Sequence, residues 1–281
     1  TYGAVGLDFK SPHTGLVAKK VWFFFDKTYV CLGTDISSRM KNQVLTTVNQ
    51  CLLNGQVTVS DADGIHPQER GSRMKKGVRW VVHDRVGYYF LNKENVILSN
   101  QRTEGSWKIA NRQTTTPTDI IQQDVFTLSV DHGSYPNNEG YAYMVVPSAD
   151  PLSIEKQVEE EGVVVLANCP DVQAVRHDGL NMAYAVFYKG GTLRIHDKIV
   201  VEMDAPGMLM VKYNDAGEIL TLGVSDPTRF MKKLHLSVNQ RIVGTAQENI
   251  QTEWDGKQAL TRITVELPQN EYAGKSVIYN K

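Results

Sequence analysis

The sequence predicts an all-β protein whose antiparallel sheets pack face to face. Short strand-like runs recur along the chain, and several alternate polar and apolar residues, as from Thr261 to Leu267. Alternation places one set of side chains on a core and the other in water. Gly, Asn, Asp and Pro separate the runs, and helical periodicity is scarce. Many strands with little helix indicate stacked sheets, that is, sandwiches.

The strand-like runs can be followed in order along the chain. In the first part they are Lys20 to Asp26, Tyr29 to Leu32, Gln56 to Ser60, Val78 to His83, Val86 to Leu91, Val96 to Ser99, Val125 to Asp131 and Tyr141 to Pro147. In the second part they are Val163 to Asn168, Val172 to His177, Met182 to Tyr188, Leu193 to Ile195, Ile199 to Met203, Gly207 to Tyr213, Ile219 to Ser225, Lys233 to Val238, Leu260 to Leu267 and Ser276 to Tyr279. Turns that need positive φ are predicted at Asn54-Gly55, Asn214 to Gly217 and Asp255-Gly256.

One segment, Ser153 to Glu161, is predicted to form a short surface helix or turn rich in acidic residues. The Pro, Asp and Glu content of residues 147–162 also marks a candidate domain boundary. We therefore predict two domains, residues 1–162 and residues 163–281, each large enough to bury its own core.

Composition argues against several classes of function. The 281-residue chain has a net charge of -1, whereas general nucleic-acid binders are basic, so no nucleic-acid partner is expected. The sequence lacks an apolar run long enough for a transmembrane helix, and no membrane partner is expected. The chain does not begin with Met and has no signal-peptide pattern at its start, so any targeting signal is expected upstream.

The cysteines and histidines do not suggest a metal site or a disulfide framework. The three cysteines are an odd number, and Cys31 lies in an apolar run, which predicts a buried free thiol. No Cys or His spacing is typical of zinc, and the acidic run at Glu159 lacks a calcium-type loop. We predict no metal site in this chain.

Two pairs of adjacent residues could each form a catalytic dyad, namely His83-Asp84 and Asp131-His132. Adjacent residues on a strand point to opposite faces, which works against direct pairing. The residues favour a structural interpretation, in which both histidines bond to backbone or water at strand ends.

A cluster of cations around Trp80 is the candidate substrate-binding element, and we call it the basic stretch. Cations can bind the carboxylates or sulfates of an acidic polysaccharide, and an aromatic ring can stack on a sugar. The alternative, which the residues favour, is a solvated loop that enters a strand with Trp80 in the core. The candidate substrate-binding residues of the basic stretch are Arg70, Arg73, Lys75, Lys76 and Arg79, and Arg85 follows beyond Trp80.

Four consecutive aromatic residues, Trp22 to Phe25, form the most conspicuous run of the sequence. On a strand they would place aromatic rings on both faces of the sheet. The run therefore predicts a central strand buried between two layers.

The same run carries a resemblance to a known family. Lys19 to Asp26, followed by Val30 to Gly33 and Thr46 to Gln50, resembles the central domain of family-eight polysaccharide lyases, which are the chondroitin AC, hyaluronate and xanthan lyases. The chondroitin AC branch is the most similar. The similarity continues through His83 to Phe90, Asp131 to Gly133 and Tyr141 to Pro147. Residues of the second part resemble the start of the family's C-terminal domain: Val165 to Asn168, Val172 to His177 and Ala185 to Tyr188.

The resemblance implies an architecture and a reaction. The family combines an N-terminal α/α toroid, a central β supersandwich and a smaller C-terminal β-sandwich, and this chain would begin partway into the supersandwich. The reaction is β-elimination, in which a base removes the C5 proton of a uronic acid and the 4-linked group leaves. Neutralising the carboxylate and providing a tyrosine/histidine pair lower its barrier. The family's catalytic residues lie in the toroid and its calcium ligands lie upstream, so the resemblance assigns no catalytic residue and no cofactor here.

The resulting expectation is the β portion of a secreted or periplasmic lyase that acts on chondroitin or hyaluronan. Its expected partners are an acidic polysaccharide and the toroid of the same enzyme, and the chain alone is expected to be inactive. Two alternatives remain open. One is a free-standing carbohydrate-binding β-sandwich module, and the other is a mutarotase-like epimerase, which would need a paired His and Glu in a sheet concavity.

Overall fold

The structure is a computed structural model that describes residues 2–242 and 249–281. It divides into two compact units, the first comprising Asp8–Ala18 and Phe24–Glu155. The second comprises Tyr2–Leu7, Lys19–Phe23 and the described residues from Lys156 onward. The domain boundary between residues 162 and 163 stays a prediction.

Ten strands form the largest sheet. They are β1 (Gly3–Lys10), β2 (Val17–Phe24), β3 (Tyr29–Ser37), β4 (Gln43–Leu52), β5 (Val57–Asp61), β6 (Gly64–Pro67), β7 (Ser72–His83), β8 (Val86–Gly105), β9 (Ile121–Ser134) and β10 (Glu139–Pro147). The strand order is β1-β2-β3-β10-β8-β7-β5-β6, and β9 pairs with both β8 and β4. The long strand β8 pairs antiparallel with β7, β9 and β10, which makes it the axis of the first unit.

The aromatic run on β2 buries one face rather than two. Phe23 and Phe25 are buried, whereas Trp22 is half-buried and Phe24 is 38% exposed. The prediction of a strand buried on both faces is therefore wrong. The pattern is that of a strand with one covered face, where successive side chains alternate between the core and the open side.

Eleven strands form the two sheets of the second unit. They are β11 (Val163–Cys169), β12 (Val172–His177), β13 (Met182–Phe187), β14 (Gly191–His196), β15 (Ile199–Met203), β16 (Gly207–Tyr213), β17 (Ile219–Ser225), β18 (Lys233–Val238), β19 (Ile250–Asp255), β20 (Leu260–Glu266) and β21 (Val277–Asn280). One sheet has the order β11-β12-β13-β16-β17-β21 and the other has the order β14-β15-β18-β20-β19.

The core of the second unit is shared by its two sheets. Val211 and Leu222 of the six-stranded sheet and Val201, Leu236 and Val265 of the five-stranded sheet belong to one buried apolar cluster. Two sheets that enclose one core form a β-sandwich. Together with the ten-stranded sheet, this confirms the predicted all-β class with a smaller C-terminal sandwich.

Helix is scarce in the described residues, as the sequence predicts. α1 (Trp107–Ala110) was not predicted, whereas α2 (Ile154–Glu161) confirms the predicted acidic helix. Two single 3₁₀ turns lie at Asp178–Leu180 and Asn270–Tyr272. None of these helices is long and apolar enough to cross a membrane.

Two of the three predicted turns have the expected backbone. Gly55 and Gly217 adopt φ of 73° and 78°, the left-handed region that favours glycine. In the third turn the positive φ lies at Ala259, at 52°, rather than at Gly256. Cys31 is a buried free thiol, as predicted.

Candidate functional site

The basic stretch lies at the start of β7. Arg73, Lys75, Lys76 and Arg79 belong to the strand, and Arg70 precedes it. The register shifts between Lys75 and Val78, where Gly77 adopts a φ of 63°, so a β-bulge interrupts the alternation of side chains. The structure therefore does not gather the five cations on one continuous face.

The three arginines of the basic stretch make exposed ion pairs with carboxylates from different parts of the first unit. The side chains of these arginines are between 50% and 57% exposed. Exposed pairs contribute only about 0–1 kcal/mol each, so an anionic ligand can compete for these guanidinium groups. The pairs are Arg70–Asp124 at 2.7 Å, Arg73–Glu69 at 2.6 Å and Arg79–Glu155 at 3.2 Å.

Lys75 is in a different environment from the three arginines. Its ammonium lies 3.2 Å from the carboxylate of Asp61, whose side chain is only 4% exposed. Asp61 also accepts hydrogen bonds from the backbone N–H of Asp63 at 3.0 Å and interacts with His66 Nε2 at 3.1 Å. Burial alone would raise the pKa of Asp61, but the hydrogen bonds from His66, Asp63 and Lys75 outweigh burial and hold that pKa below its ordinary value. Lys75 is thus engaged in an ion pair with a buried carboxylate of the same unit.

Trp80 cannot stack on a sugar in this conformation, because its side chain is fully buried. Its indole N–H donates to Glu155 Oε1 at 3.3 Å, so the same carboxylate of α2 holds both Trp80 and Arg79. Lys76 is exposed, and within the described part of the chain it is the one member of the basic stretch without a carboxylate partner.

The structure exposes a different tryptophan that sequence reasoning missed. Trp107 begins α1 in the loop between β8 and β9, and it is 62% exposed. Lys108 follows it and donates to the carbonyl of Gln113 at 2.6 Å, which ties the loop together, and Arg112 of this loop is exposed. The signal was present in the sequence, since this tryptophan lies in a polar segment without strand-like alternation.

His83 lies in a buried polar cluster rather than in a dyad with Asp84. The ring is 1% exposed, stacks on Phe126 with centroids 4.3 Å apart, and accepts the backbone N–H of Asn54 at 3.0 Å. Burial is the largest influence and lowers the pKa of His83, against the opposing charge of Asp84. A neutral, enclosed imidazole fits the structural interpretation.

Tyr88 belongs to the same cluster and is equally enclosed. Its hydroxyl accepts from Asn49 Nδ2 at 2.5 Å, and only 3% of the residue is exposed. Burial raises the pKa of Tyr88 to about 12. A tyrosine and a histidine therefore lie in one cluster, and both are largely closed off from solvent.

In the second pair of sequence neighbours, Asp131-His132, each side chain contacts other residues. His132 Nε2 lies 2.9 Å from the hydroxyl of Thr46 and the residue is 8% exposed. Asp131 instead accepts from the backbone N–H of Gly133 at 2.9 Å and from Gln43 at 3.1 Å. Over residues 2–242 and 249–281, no group of three or more His, Cys, Asp or Glu side chains is arranged to hold a metal ion.

Comparison with known proteins identifies relatives over the whole chain. The chain is 35% identical over 278 residues to chondroitinase-AC of Pedobacter heparinus, which covers 98% of this chain and 36% of the relative. It is 29% identical over 273 residues to a hyaluronate lyase of Thermasporomyces composti, covering 94% of this chain and 34% of the relative. The chain thus spans about a third of the length of these relatives.

Solved structures give the same result for the fold. A chondroitinase AC lyase, solved in complexes with oligosaccharides, superposes with a TM-score of 0.83 at 34% identity and covers 99% of this chain and 38% of that one. Xanthan lyase of Paenibacillus superposes with a TM-score of 0.85 at 24% identity, covering 99% of this chain and 27% of that one, which shows a shared fold.

The family models divide the chain in two. Residues 1–158 match the super-sandwich domain of polysaccharide lyase family 8, and residues 164–235 match the C-terminal β-sandwich domain of that family. The first match alone covers more than half of the chain. The chain therefore belongs to polysaccharide lyase family 8.

Proposed function

We propose that this chain is the β-sheet portion of a glycosaminoglycan lyase that cleaves chondroitin or hyaluronan by β-elimination at a uronic acid. The observation that carries the proposal is the 35% identity to a chondroitinase-AC across 98% of the chain. The hyaluronate lyase among the relatives supports the same class of acidic polysaccharide.

The proposed role of this portion is architectural. The relatives are about three times as long as this chain, so a catalytic region has ample room elsewhere in the protein. Tyr88 and His83 lie in one cluster, but both are buried, which works against their acting as the tyrosine/histidine pair of an elimination. We therefore place the catalytic groups in a helical toroid outside this chain, which the β domains support. The 281-residue chain alone is then inactive.

The exposed cations are the proposed points of substrate contact. The three arginines, Arg70, Arg73 and Arg79, can exchange their weak ion pairs for the carboxylates of a polyanion. Lys76 is exposed and can bind such a carboxylate directly. Trp107 offers an exposed ring for stacking on a sugar face. Lys75 is expected to contribute least, because it serves Asp61.

The proposal also covers calcium binding and the compartment in which the enzyme acts. Any calcium that the enzyme binds is held by residues outside this chain. The protein acts outside the cytoplasm, as a secreted or periplasmic enzyme, since a large polyanion does not cross a lipid bilayer.

The test is a lyase assay on the complete protein that the gene encodes. Release of unsaturated uronate, followed by its ultraviolet absorbance, is expected from chondroitin or hyaluronan and not from xanthan. Absence of product from both glycosaminoglycans, or product from xanthan alone, would contradict the proposed substrate class.

A further inference from the structure

The outer face of the five-stranded sheet carries a cavity of about 500 Å³ that the proposed function does not use. We call it the polar groove. Its volume lies in the range of about 300–1,000 Å³ that is typical of small-molecule sites. Cross-strand neighbours on β15, β18, β20 and β19 line it, and all of them belong to the second unit.

The strand register arranges the lining side chains in two rows. The first row runs across four strands, because Glu202 opposes Ser237, Ser237 opposes Arg262, and Arg262 opposes Glu253. The second row, two residues further along each strand, contains His235, Thr264 and Gln251. With strands about 4.8 Å apart, the first row is roughly 14 Å long and lies about 7 Å from the second. The grid has the footprint of a short oligosaccharide.

Two of the lining groups are held in place by the fold. Arg262 contacts Asp255 at 3.0 Å and Gln258 at 2.7 Å, which holds its guanidinium on the side of the first row that faces the turn between β19 and β20. His235 Nδ1 lies 3.0 Å from the hydroxyl of Thr264. Positioned donors and acceptors lose little freedom when a ligand binds.

The remaining polar groups of the rows are available to a ligand. Within residues 2–242 and 249–281, the side chains of Glu202, Ser237, Gln251 and Glu253 make no hydrogen bond or ion pair with other residues. They are two carboxylates, one hydroxyl and one amide. Together with Arg262 they offer both donors and acceptors within one concavity.

The charges restrict the chemistry of the ligand. Glu202 and Glu253 lie at the two ends of the first row and Asp204 lies at the margin, so a polyanion would meet like charges. Arg262, the neighbour of Glu253 in the first row, works against a simple cation. A neutral molecule with many hydroxyl groups fits both conditions, because each hydroxyl can donate to a carboxylate and accept from the guanidinium or amide.

We propose that the polar groove is a binding site for a neutral oligosaccharide, distinct in chemistry from the acidic polysaccharide of the proposed reaction. The site is built for binding rather than for epimerisation of the sugar. The His235 ring contacts Thr264, and among the described residues it makes no ion pair with a carboxylate, so the polar groove does not contain the His/Glu pair of a mutarotase-like epimerase.

The test uses the 281-residue chain and isothermal titration calorimetry with defined hexasaccharides. The neutral probes are cello-, malto-, manno- and chitohexaose, and the acidic probe is a chondroitin hexasaccharide. At least one neutral probe is expected to bind, and Glu202→Ala and Glu253→Ala are each expected to weaken that binding about tenfold or more. Chemical shift changes should map to β15, β18, β19 and β20.

The matched control is Glu266→Ala. Glu266 is a carboxylate on β20 that opposes Lys233 and contacts it at 2.5 Å, and it does not line the groove. This variant should bind the neutral probe like the unaltered chain. Failure of all four neutral probes at millimolar concentration would overturn the proposal, and so would binding that neither groove substitution changes. Chondroitin binding that the groove substitutions leave unchanged bears only on the proposed lyase function.

Discussion

The basic stretch of the first unit and the polar groove of the second are both hydrophilic surfaces, but the fold uses their side chains differently. In the basic stretch, Lys75 is engaged by the buried carboxylate of Asp61, and the adjoining Trp80 donates to Glu155 of the same unit. In the polar groove, Glu202 and Glu253 face solvent around a concavity. Counting charges along a sequence therefore does not locate a binding site. What matters is which charges the fold leaves available.

The largest expected effect separates the two tryptophans. Trp80→Ala should lower the free energy of unfolding by about 3–5 kcal/mol, because it removes a fully buried ring and its hydrogen bond to Glu155. Trp107→Ala, at a residue 62% exposed, should change it by less than about 0.5 kcal/mol. Urea unfolding of both variants measures this difference. Equal losses of unfolding free energy would contradict the role of Trp80 as a buried, stabilising residue.

The next effect concerns the carboxylate that holds Lys75. Asp61→Asn should lower the free energy of unfolding at neutral pH by about 1–3 kcal/mol, since Lys75 and His66 lose a buried anionic partner. The folded pKa of Asp61 is depressed, so its contribution is complete above the unfolded value of about 3.9 and is lost as pH falls through the folded pKa. The gap between the two proteins should therefore shrink in urea titrations below about pH 4, and a gap that grows there would contradict the account.

A smaller effect is expected at the exposed end of the basic stretch. Arg79→Gln breaks a half-exposed ion pair with Glu155 and should change unfolding by about 1 kcal/mol or less. It should nevertheless weaken chondroitin binding by the complete enzyme and reduce the salt dependence of that binding. Lys75→Gln is the control, because Lys75 is engaged by Asp61 and should contribute less to binding. If Lys75→Gln weakened chondroitin binding more than substitution of Arg79 or Lys76, the proposed substrate contacts would be wrong.

The smallest effect on stability is expected in the polar groove. Glu202→Ala and Glu253→Ala should each change the free energy of unfolding by less than about 0.5 kcal/mol, because neither carboxylate makes an ion pair within the described residues. Thermal unfolding provides the measurement. A loss of unfolding free energy above about 1.5 kcal/mol for either variant would show that the carboxylate stabilises the fold, as Asp61 does, and is not available to a ligand.

Much of the fold could be predicted from local pattern. Ile199–Met203, Gly207–Tyr213 and Lys233–Val238 begin and end where alternation and turn residues indicate. β1, β4, β6 and β19 were missed; β4 and β19 are rich in polar residues, and β4 pairs with the distant β9 whereas β19 pairs with its neighbour β20. Residues 86–105 form one strand, although the sequence divided them into two short runs.

The candidate sites were less predictable, for physical reasons. The basic stretch was visible as composition, but its partners Asp61, Asp124 and Glu155 come from three other elements. The polar groove depends on strand register across four strands, which a single sequence does not reveal.

We propose that the chain supplies architecture and substrate contacts but no chemistry. The most direct measurement compares unsaturated uronate release from chondroitin by the purified 281-residue chain and by the complete protein under the same conditions. Product is expected from the complete protein, and none above background is expected from the chain alone. Turnover by the isolated chain would contradict it, because the catalytic groups would then have to lie among residues 1–281.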